Sequence, residues 1–271
     1  RMYAPEDFGL LNLFLSIGNV LVVLSIADYY YAIVLPKNEK DAVALTHISL
    51  LFLLTTTILV ALSVLFSTPI SMIFKSPNLA KYYWLMPLYV LIMGMWNVLN
   101  YWYIRKKSFG RISGYQMSQS ILSAGGKLGL GYAGVLQGGM IYATVIAPFI
   151  ALLSSLLLSF RKTLRPLLFF SKIDVLTQAR VYRNFPCFVL PRSFINVLAG
   201  QLPVLLLTPF FGAKYVGLLS MAVLLAYTPI GTLSRAIYQV LYQHTTECVH
   251  QSLPIKSMFR RFIGYTSVVI I

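Results

Sequence analysis

Residues 42–74 read AVALTHISLLFLLTTTILVALSVLFSTPISMIF, a run of 33 residues without a single Asp, Glu, Lys or Arg. A helix needs about 20 consecutive apolar residues to cross the hydrocarbon core of a bilayer. Two further charge-free runs, residues 82–104 and 128–160, are 23 and 33 residues long. Strands of a membrane β-barrel would be much shorter, at about 10 residues with strict alternation. The long, continuous runs therefore predict transmembrane helices.

The whole 271-residue chain shares this apolar character. It is 58% hydrophobic and only 11% charged, whereas a soluble domain carries about 25% charged residues. Its two cysteines, Cys187 and Cys248, are too few for a disulfide scaffold. A net charge of +15 would suggest a nucleic-acid partner for a soluble protein, but basic residues of membrane proteins collect in cytoplasmic loops. We therefore predict an all-α polytopic membrane protein that binds no nucleic acid.

Runs interrupted by a single charge complete the set of predicted membrane crossings. Seven full crossings are expected over residues 8–35, 43–73, 84–104, 112–135, 140–160, 185–211 and 215–242, and an eighth begins near Phe262. Within residues 128–160, Gly134, Gly138 and Gly139 mark a turn between two helices. The chain starts with Arg1 and stops inside an apolar run at Ile271, so we expect it to be a fragment of a longer protein.

The basic residues predict which side of the membrane each loop occupies. Of the 22 Lys and Arg residues, 15 fall in one set of alternate loops, four in the other and three inside predicted crossings. Loops rich in Lys and Arg stay in the cytoplasm. The longest of these loops, residues 161–184, mixes apolar and charged residues and predicts an amphipathic helix in the membrane interface; a solvated connector is the alternative. Either way, it divides the chain into five predicted crossings before it and at least three after it.

The sequence provides little for catalysis. Of the seven acidic residues only Asp28 lies within a predicted crossing, so no carboxylate pair is placed as a buried general acid and base. The three histidines do not show metal-ligand spacing with the cysteines or acids, and there is no Gly-rich phosphate loop. We expect a protein that is not an enzyme and that holds no metal or cofactor.

Three cations lie inside predicted crossings, namely Lys127, Arg192 and Arg235. A charge at the bilayer centre costs at least about 2.5–3.5 kcal/mol, so such residues usually face a protein interior or a water-filled cavity. Arg binds phosphate oxygens through two parallel hydrogen bonds, and Lys acts as a point charge. We hypothesise that these residues bind an anionic cargo such as a lipid-linked pyrophosphate. The alternative is that they extend to the membrane surface.

Polar residues within the crossings form a second group of candidates for a cavity or for ion coupling. Asp28 either takes up a proton during transport or pairs with a cation, and the alternative is an interfacial aspartate beside an aromatic belt. Amides and aromatic rings suit sugar binding, although they often serve as interhelical hydrogen-bonding groups. The candidates are Asp28, Asn100, Tyr101, Gln119, Asn196 and Gln201.

Several short motifs resemble those of the bacterial oligosaccharide flippases, the O-antigen and capsule translocases of the multidrug/oligosaccharidyl-lipid/polysaccharide exporter superfamily. They are residues 3–9 (YAPEDFG), 32–36 (AIVLP), 99–102 (LNYW) with Arg105, Lys106, Lys107 and Phe109, 201–206 (QLPVLL), 210–212 (FFG), 216–218 (VGL) and 242–243 (YQ). The resemblance covers essentially the whole chain. The chain departs from the family pattern at Asp28, Arg192 and Arg235, and these charges are not assigned by the resemblance.

The resemblance implies two helical bundles in a V-shaped arrangement around a cavity, in the bacterial inner membrane. They are an N-terminal bundle (1–160), whose first helix would precede Arg1, and the start of a truncated C-terminal bundle (185–271), with several helices to follow Ile271. The resemblance also implies transport of undecaprenyl-pyrophosphate-linked oligosaccharide, an O-antigen or capsule repeat unit, from the inner to the outer leaflet by alternating access, with H⁺ or Na⁺ as the coupling ion. The expected partners are the lipid-linked oligosaccharide, membrane lipids, and the polysaccharide polymerase and chain-length proteins. The alternatives are a sister exporter for lipid II or drugs, a membrane-embedded glycosyltransferase or polymerase, and a structural membrane subunit.

Overall fold

A computed structural model describes residues 3–135, 138–159, 164–168 and 172–226. The described residues form helices and connecting turns, without any β-strand. The α-helices are α1 (Pro5–Ser25), α2 (Glu39–Ser63), α3 (Ser67–Ile73), α4 (Pro77–Tyr83), α5 (Met86–Arg105), α6 (Phe109–Tyr132), α7 (Gly139–Ser159), α8 (Lys172–Val181), α9 (Leu190–Phe211) and α10 (Ala213–Ala226). The prediction of an all-α polytopic membrane protein is confirmed.

Four stretches of the described chain are long and apolar enough to cross a membrane: Pro5–Ser25, Glu39–Ile73, Gly139–Ser159 and Phe185–Phe211. A fifth crossing results if α4 and α5, which meet at an angle of 59°, are counted together. Helix α6 has 24 residues, but its Gly, Ser and Gln residues make it less apolar, so its crossing stays a prediction. The predicted crossing 215–242 is described only up to residue 226, and the one near Phe262 lies outside the described residues.

The glycine turn predicted within residues 128–160 is confirmed. Helix α6 ends at Tyr132 and α7 begins at Gly139. Gly134 and Gly138 both have positive φ, at 77° and 85°, a backbone conformation that only glycine adopts without steric cost.

The first predicted crossing, residues 8–35, is not one continuous α-helix: the prediction is wrong after Ser25. Helix α1 ends at Ser25, and Ala27 and Asp28 follow with positive φ values of 49° and 54°. A 3-10 helix, Tyr29–Val34, then completes the segment. Neither Gly nor Pro marks this break, because the contacts that hold it come from elsewhere in the chain.

Three of the basic loops meet at one end of the bundle within the described residues, as the positive-inside pattern requires; Lys256, Arg260 and Arg261 of the fourth lie outside the described residues. Lys106, which follows α5, forms a 2.6 Å ion pair with Glu39 at the start of α2. Gln178 on α8 donates a 2.8 Å hydrogen bond to Asp41. We call this the basic end; its assignment to the cytoplasm rests on the charge count.

The opposite end joins the start of α1 to the ends of α6 and α9. The Tyr3 hydroxyl donates a 2.6 Å hydrogen bond to the Lys127 carbonyl oxygen. Glu6, Lys75 and Lys214 line a cleft of about 330 Å³ here. We call this the outer end.

The described part of the connector, residues 161–184, contains a short helix; its amphipathic, interfacial character stays a prediction. Helix α8 covers Lys172–Val181 and packs on α2. Val175 is buried, while Leu176 and Val181 are exposed. Exposed apolar side chains suit a membrane interface, and that location stays a prediction. The connector residues 161–163 and 169–171 lie outside the described residues.

Residues Arg1–Ser220 form one compact unit and Met221–Ile271 form a second. Within the first unit, α9 runs along α1, and the Ser16 hydroxyl donates a 2.7 Å hydrogen bond to the Gln201 side chain. In the second unit only residues 221–226 are described, and they are helical. The division into two bundles on either side of the connector stays a prediction.

The outer end contains a close crossing between α1 and α10 at two glycines. A Cβ atom at Gly9 would collide with the carbonyl oxygen of Ala213, and one at Gly217 would collide with that of Pro5. Both glycines belong to motifs that carry the family resemblance.

We expect Gly9→Ala to lower the free energy of unfolding by about 2 kcal/mol, because overpacking a tight contact typically costs about 1–3 kcal/mol. Thermal unfolding of the purified protein measures this. Gly125→Ala in α6 is the matched control, since a Cβ there meets nothing within 4 Å. Equal unfolding temperatures for the two variants would contradict the close crossing.

Candidate functional site

Asp28 lies at the break between α1 and the 3-10 helix, on the basic side of the bundle. The residue is 1% exposed, and neither carboxylate oxygen has a hydrogen-bond partner within the described residues. A buried carboxylate without a partner is costly, and residues held at positive φ add backbone strain. Such costs concentrate at functional sites, so Asp28 is the strongest candidate.

Three tyrosine rings form a cluster next to Asp28. The ring centroids of Tyr30 and Tyr31 are 4.2 Å apart, and the Tyr101 centroid lies 5.0 Å from the first ring and 5.1 Å from the second. Tyr101 belongs to α5, so the cluster joins the break to the neighbouring helix. The structure thus brings together Asp28 and Tyr101, two of the predicted candidates.

The start of α9 contributes the other wall of the site. The Ser193 hydroxyl faces the Asp28 carboxyl group, although without the geometry of a full hydrogen bond. A π-helical turn, Phe185–Val189, precedes α9 and contacts the 3-10 helix. Single π-turns within helices occur frequently at functional sites. Sequence reasoning missed Ser193, because a lone serine in a crossing carries no recognisable signal.

The connector also contacts the site. The Tyr29 hydroxyl donates a 3.2 Å hydrogen bond to the Ala179 carbonyl oxygen on α8. Movement of α8 would therefore displace Tyr29, the residue next to Asp28, through this hydrogen bond.

The three predicted cations do not come together in the described part of the chain. Lys127 is half-buried near the outer end, where its carbonyl oxygen accepts the bond from Tyr3. Arg192 is exposed and precedes Ser193 at the basic end. No ion pair joins Arg192 to Asp28 among the described residues. Arg235 lies outside the described residues.

The remaining polar candidates are dispersed over three helices. Asn100 is half-buried on α5, and its buried side-chain oxygen has no hydrogen-bond partner among the residues described. Gln201 accepts the hydrogen bond from Ser16, which supports the interhelical alternative for this residue. Gln119 is half-buried on α6, and Asn196 lies on the exposed face of α9, one turn after Arg192.

Arg105, at the end of α5, binds the end of the 3-10 helix and the turn that leads into α2, and sequence reasoning did not identify this role. One terminal nitrogen of its guanidinium donates to the carbonyl oxygens of Ile33, Val34 and Pro36 at 3.2, 3.4 and 2.6 Å. The other donates to those of Lys37 and Asn38 at 3.3 and 3.1 Å. Its position in the motif 99–107 was the available signal.

The site around Asp28 is rich in side-chain oxygen atoms. One carboxyl group, phenolic hydroxyls and a serine hydroxyl can bind a proton or a hard cation. A second carboxylate for general acid–base catalysis is not found beside Asp28 among the described residues. Within the same residues no group of three His, Cys, Asp or Glu side chains could hold a metal ion.

Comparison with protein families gives a match over the entire chain. Residues 1–271 match a family described as polysaccharide biosynthesis protein. Neither the curated proteins nor the solved structures gave a match.

Proposed function

The chain belongs to the polysaccharide biosynthesis protein family, and from this premise we propose that it is a flippase for undecaprenyl-pyrophosphate-linked oligosaccharide. Family membership establishes a role in polysaccharide synthesis or export, and members are typically transporters rather than enzymes. The apolar helices make it a multi-pass membrane protein. The proposal places it in the bacterial inner membrane. The observation that carries it is the family match over all 271 residues.

The physical task explains why such a fold suits this cargo. A glycan and its pyrophosphate cannot enter hydrocarbon unaided, because buried polar groups and charges are too costly. The protein provides a polar path while the lipid tail stays in the bilayer, and alternating access opens that path to one side at a time.

The placement of two cations supports binding of the pyrophosphate at more than one depth. Arg192 lies at the basic end and Lys127 near the outer end. They would bind the phosphates at different stages of the passage rather than together. Arg235 stays a candidate for the same role.

Asp28 is the candidate for ion coupling. Its buried carboxyl group has no partner within the described residues, so a proton or Na⁺ would relieve the cost of its charge. Because α1, α5 and α9 all meet at this position, binding of the ion would change how these helices pack. Ion uptake and helix movement would thereby be linked.

Deletion of the gene tests the proposal directly. We expect lipid-linked oligosaccharide to accumulate in the inner leaflet, inaccessible to a glycan-binding lectin added to intact spheroplasts. Expression of the full-length protein should restore exposure. Normal exposure in the deletion strain would contradict the proposal, and loss of the lipid-linked oligosaccharide itself would point to a glycosyltransferase.

A further inference from the structure

A second site lies at the basic end, between α6 and α7. It is a cleft of about 610 Å³, and the residues that line it do not include those of the Asp28 site. Gly110 and Gly114 lie one turn apart and form part of its wall, and a Cβ atom at either residue would meet nothing within 4 Å. The absence of two side chains therefore keeps the cleft open.

Two cationic side chains line this cleft, and neither is neutralised by an ion pair among the described residues. Lys107 is exposed and Arg111 is half-buried, and neither has a salt-bridge partner among the described residues. Their neighbours in the same turn differ, since Arg105 binds backbone carbonyls and Lys106 pairs with Glu39. The positive charge at the cleft is thus left for a ligand.

Hydrogen-bond donors accompany this charge. The 24-residue helix α6 begins beside the cleft, and no side chain caps its N-terminus, so its first N–H groups carry a partial positive charge towards an anion. Ser118 and Ser154 add hydroxyl groups. Tyr115, which is 2% exposed, also lines the cleft, and its hydroxyl has no hydrogen-bond partner within the described residues.

The cleft also has an apolar side. Phe109 and Leu158 line it, and both are exposed. A cationic, hydroxyl-lined pocket with an apolar flank fits an amphipathic anion. Basic pockets between helices on the cytoplasmic side of membrane proteins bind lipid headgroups.

We propose that this cleft binds the phosphate headgroup of a membrane lipid at the cytoplasmic surface. Lys107 and Arg111 bind the phosphate oxygens, and the acyl or prenyl chain lies along Phe109 and Leu158. Two lipids share this chemistry: an anionic phospholipid such as phosphatidylglycerol, and a polyprenyl pyrophosphate. The headgroup site does not depend on transport of the second lipid.

The experiment measures binding of phosphatidylglycerol and of polyprenyl pyrophosphate to the delipidated full-length protein by native mass spectrometry. Phosphatidylcholine, which is zwitterionic, is the reference lipid. In the double variant Lys107→Gln/Arg111→Gln, we expect affinity for at least one anionic lipid to fall about tenfold or more, because the charge-assisted hydrogen bonds to the phosphate are lost.

Two further variants separate the cleft from general charge effects. Gly114→Leu fills the cleft without changing the charge, and it should also reduce binding. Lys106→Gln removes one charge from the same turn outside the cleft, and it should bind lipid as the unchanged protein does. Loss of phosphatidylglycerol binding identifies a phospholipid site, and loss of polyprenyl pyrophosphate binding alone identifies a cargo site. Equal binding by the double variant, by Gly114→Leu and by the unchanged protein would overturn the proposal, whatever the outcome of the deletion experiment.

Discussion

Replacement of Arg105 by alanine is expected to lower the free energy of unfolding by about 3 kcal/mol. Hydrogen bonds to charged groups contribute about 1.5 kcal/mol each at the low end of their range, and two of the lost bonds, to Ile33 and Pro36, are partly buried, whereas the others are exposed. The guanidinium is the common donor for carbonyl oxygens of five residues between Ile33 and Asn38. Without it, the carbonyl oxygen of Pro36, a buried residue, loses its 2.6 Å bond. The segment after the Asp28 break should therefore loosen first.

Two variants separate this effect from the loss of a positive charge. Arg105→Lys keeps the charge, but an ammonium group lacks the planar fork that reaches several carbonyls, so it should restore only part of the stability. Lys106→Gln removes a charge from the adjacent residue, whose ion pair with Glu39 is partly exposed at 28% and 49%. Exposed pairs contribute about 1 kcal/mol at most.

Thermal unfolding in detergent gives the order of stability of these proteins. The expected order is the unchanged protein, Lys106→Gln, Arg105→Lys and finally Arg105→Ala. If Arg105→Ala unfolds at the same temperature as Lys106→Gln, the carbonyl contacts contribute nothing beyond the charge.

The role of Arg105 illustrates which features of the fold the sequence could not predict. Absence of charge over residues 42–74 and 128–160 is a local property of the sequence, and it predicted the helices correctly. Gly134, Gly138 and Gly139 are an equally local signal, and they predicted the turn. Contacts from distant parts of the chain surround the break after Ser25, such as the hydrogen bond from the Tyr29 hydroxyl to the Ala179 carbonyl oxygen. The segment beyond the break is bonded to the Arg105 guanidinium, about 70 positions away in the chain. Ala27 and Asp28 contain no local signal for the break, because turns without Gly or Pro are set by tertiary contacts.

The same distinction applies to the candidate site. Asp28 was identified because an ionisable residue in an apolar run is unusual. Tyr101 was identified as one of many polar residues, without any indication that it would lie beside Asp28. The two residues lie close together because α5 packs against the break, and the pattern of apolar residues in the sequence does not specify that packing. Ser193 belongs to the site only because α9 packs against α1, and that packing cannot be predicted from the sequence around Ser193.

The crossing at Gly9 and Gly217 shows a further limit. Both glycines lie in motifs that resemble the family, yet a glycine in an apolar run predicts either a close contact or a break. The carbonyl oxygens of Ala213 and Pro5, which lie against Gly9 and Gly217, show that these glycines make a close contact. Gly110 and Gly114 have the opposite role, since they leave space open.

The largest functional effect is expected for Asp28→Asn, which should reduce transport of lipid-linked oligosaccharide at least about a hundredfold, the low end of what side chains that transfer protons contribute in catalysis. Asparagine has nearly the same size as aspartate and accepts hydrogen bonds, but it cannot release a proton or carry a negative charge. The side chain is buried without a partner among the described residues, so removal of the charge should leave the unfolding temperature unchanged or raise it.

Opposite changes in stability and transport would distinguish a coupling residue from a structural one. A residue kept for packing destabilises the protein when it is replaced, whereas a strained functional residue is retained at a cost to stability. Asp41→Asn is the matched control, because this carboxylate lies at the basic end and accepts hydrogen bonds from Gln178 and Asn38. That variant should transport normally.

Transport is measured by lectin access to glycan in spheroplasts of the deletion strain, and stability by thermal unfolding of the purified protein. A coupling role also predicts that the remaining transport by Asp28→Asn no longer responds to collapse of the ion gradient, since the variant cannot exchange the ion. Normal transport that still depends on the gradient would remove Asp28 from the mechanism. The buried carboxyl group would then be a structural feature of the break between α1 and the 3-10 helix, and the coupling ion would bind elsewhere in the protein.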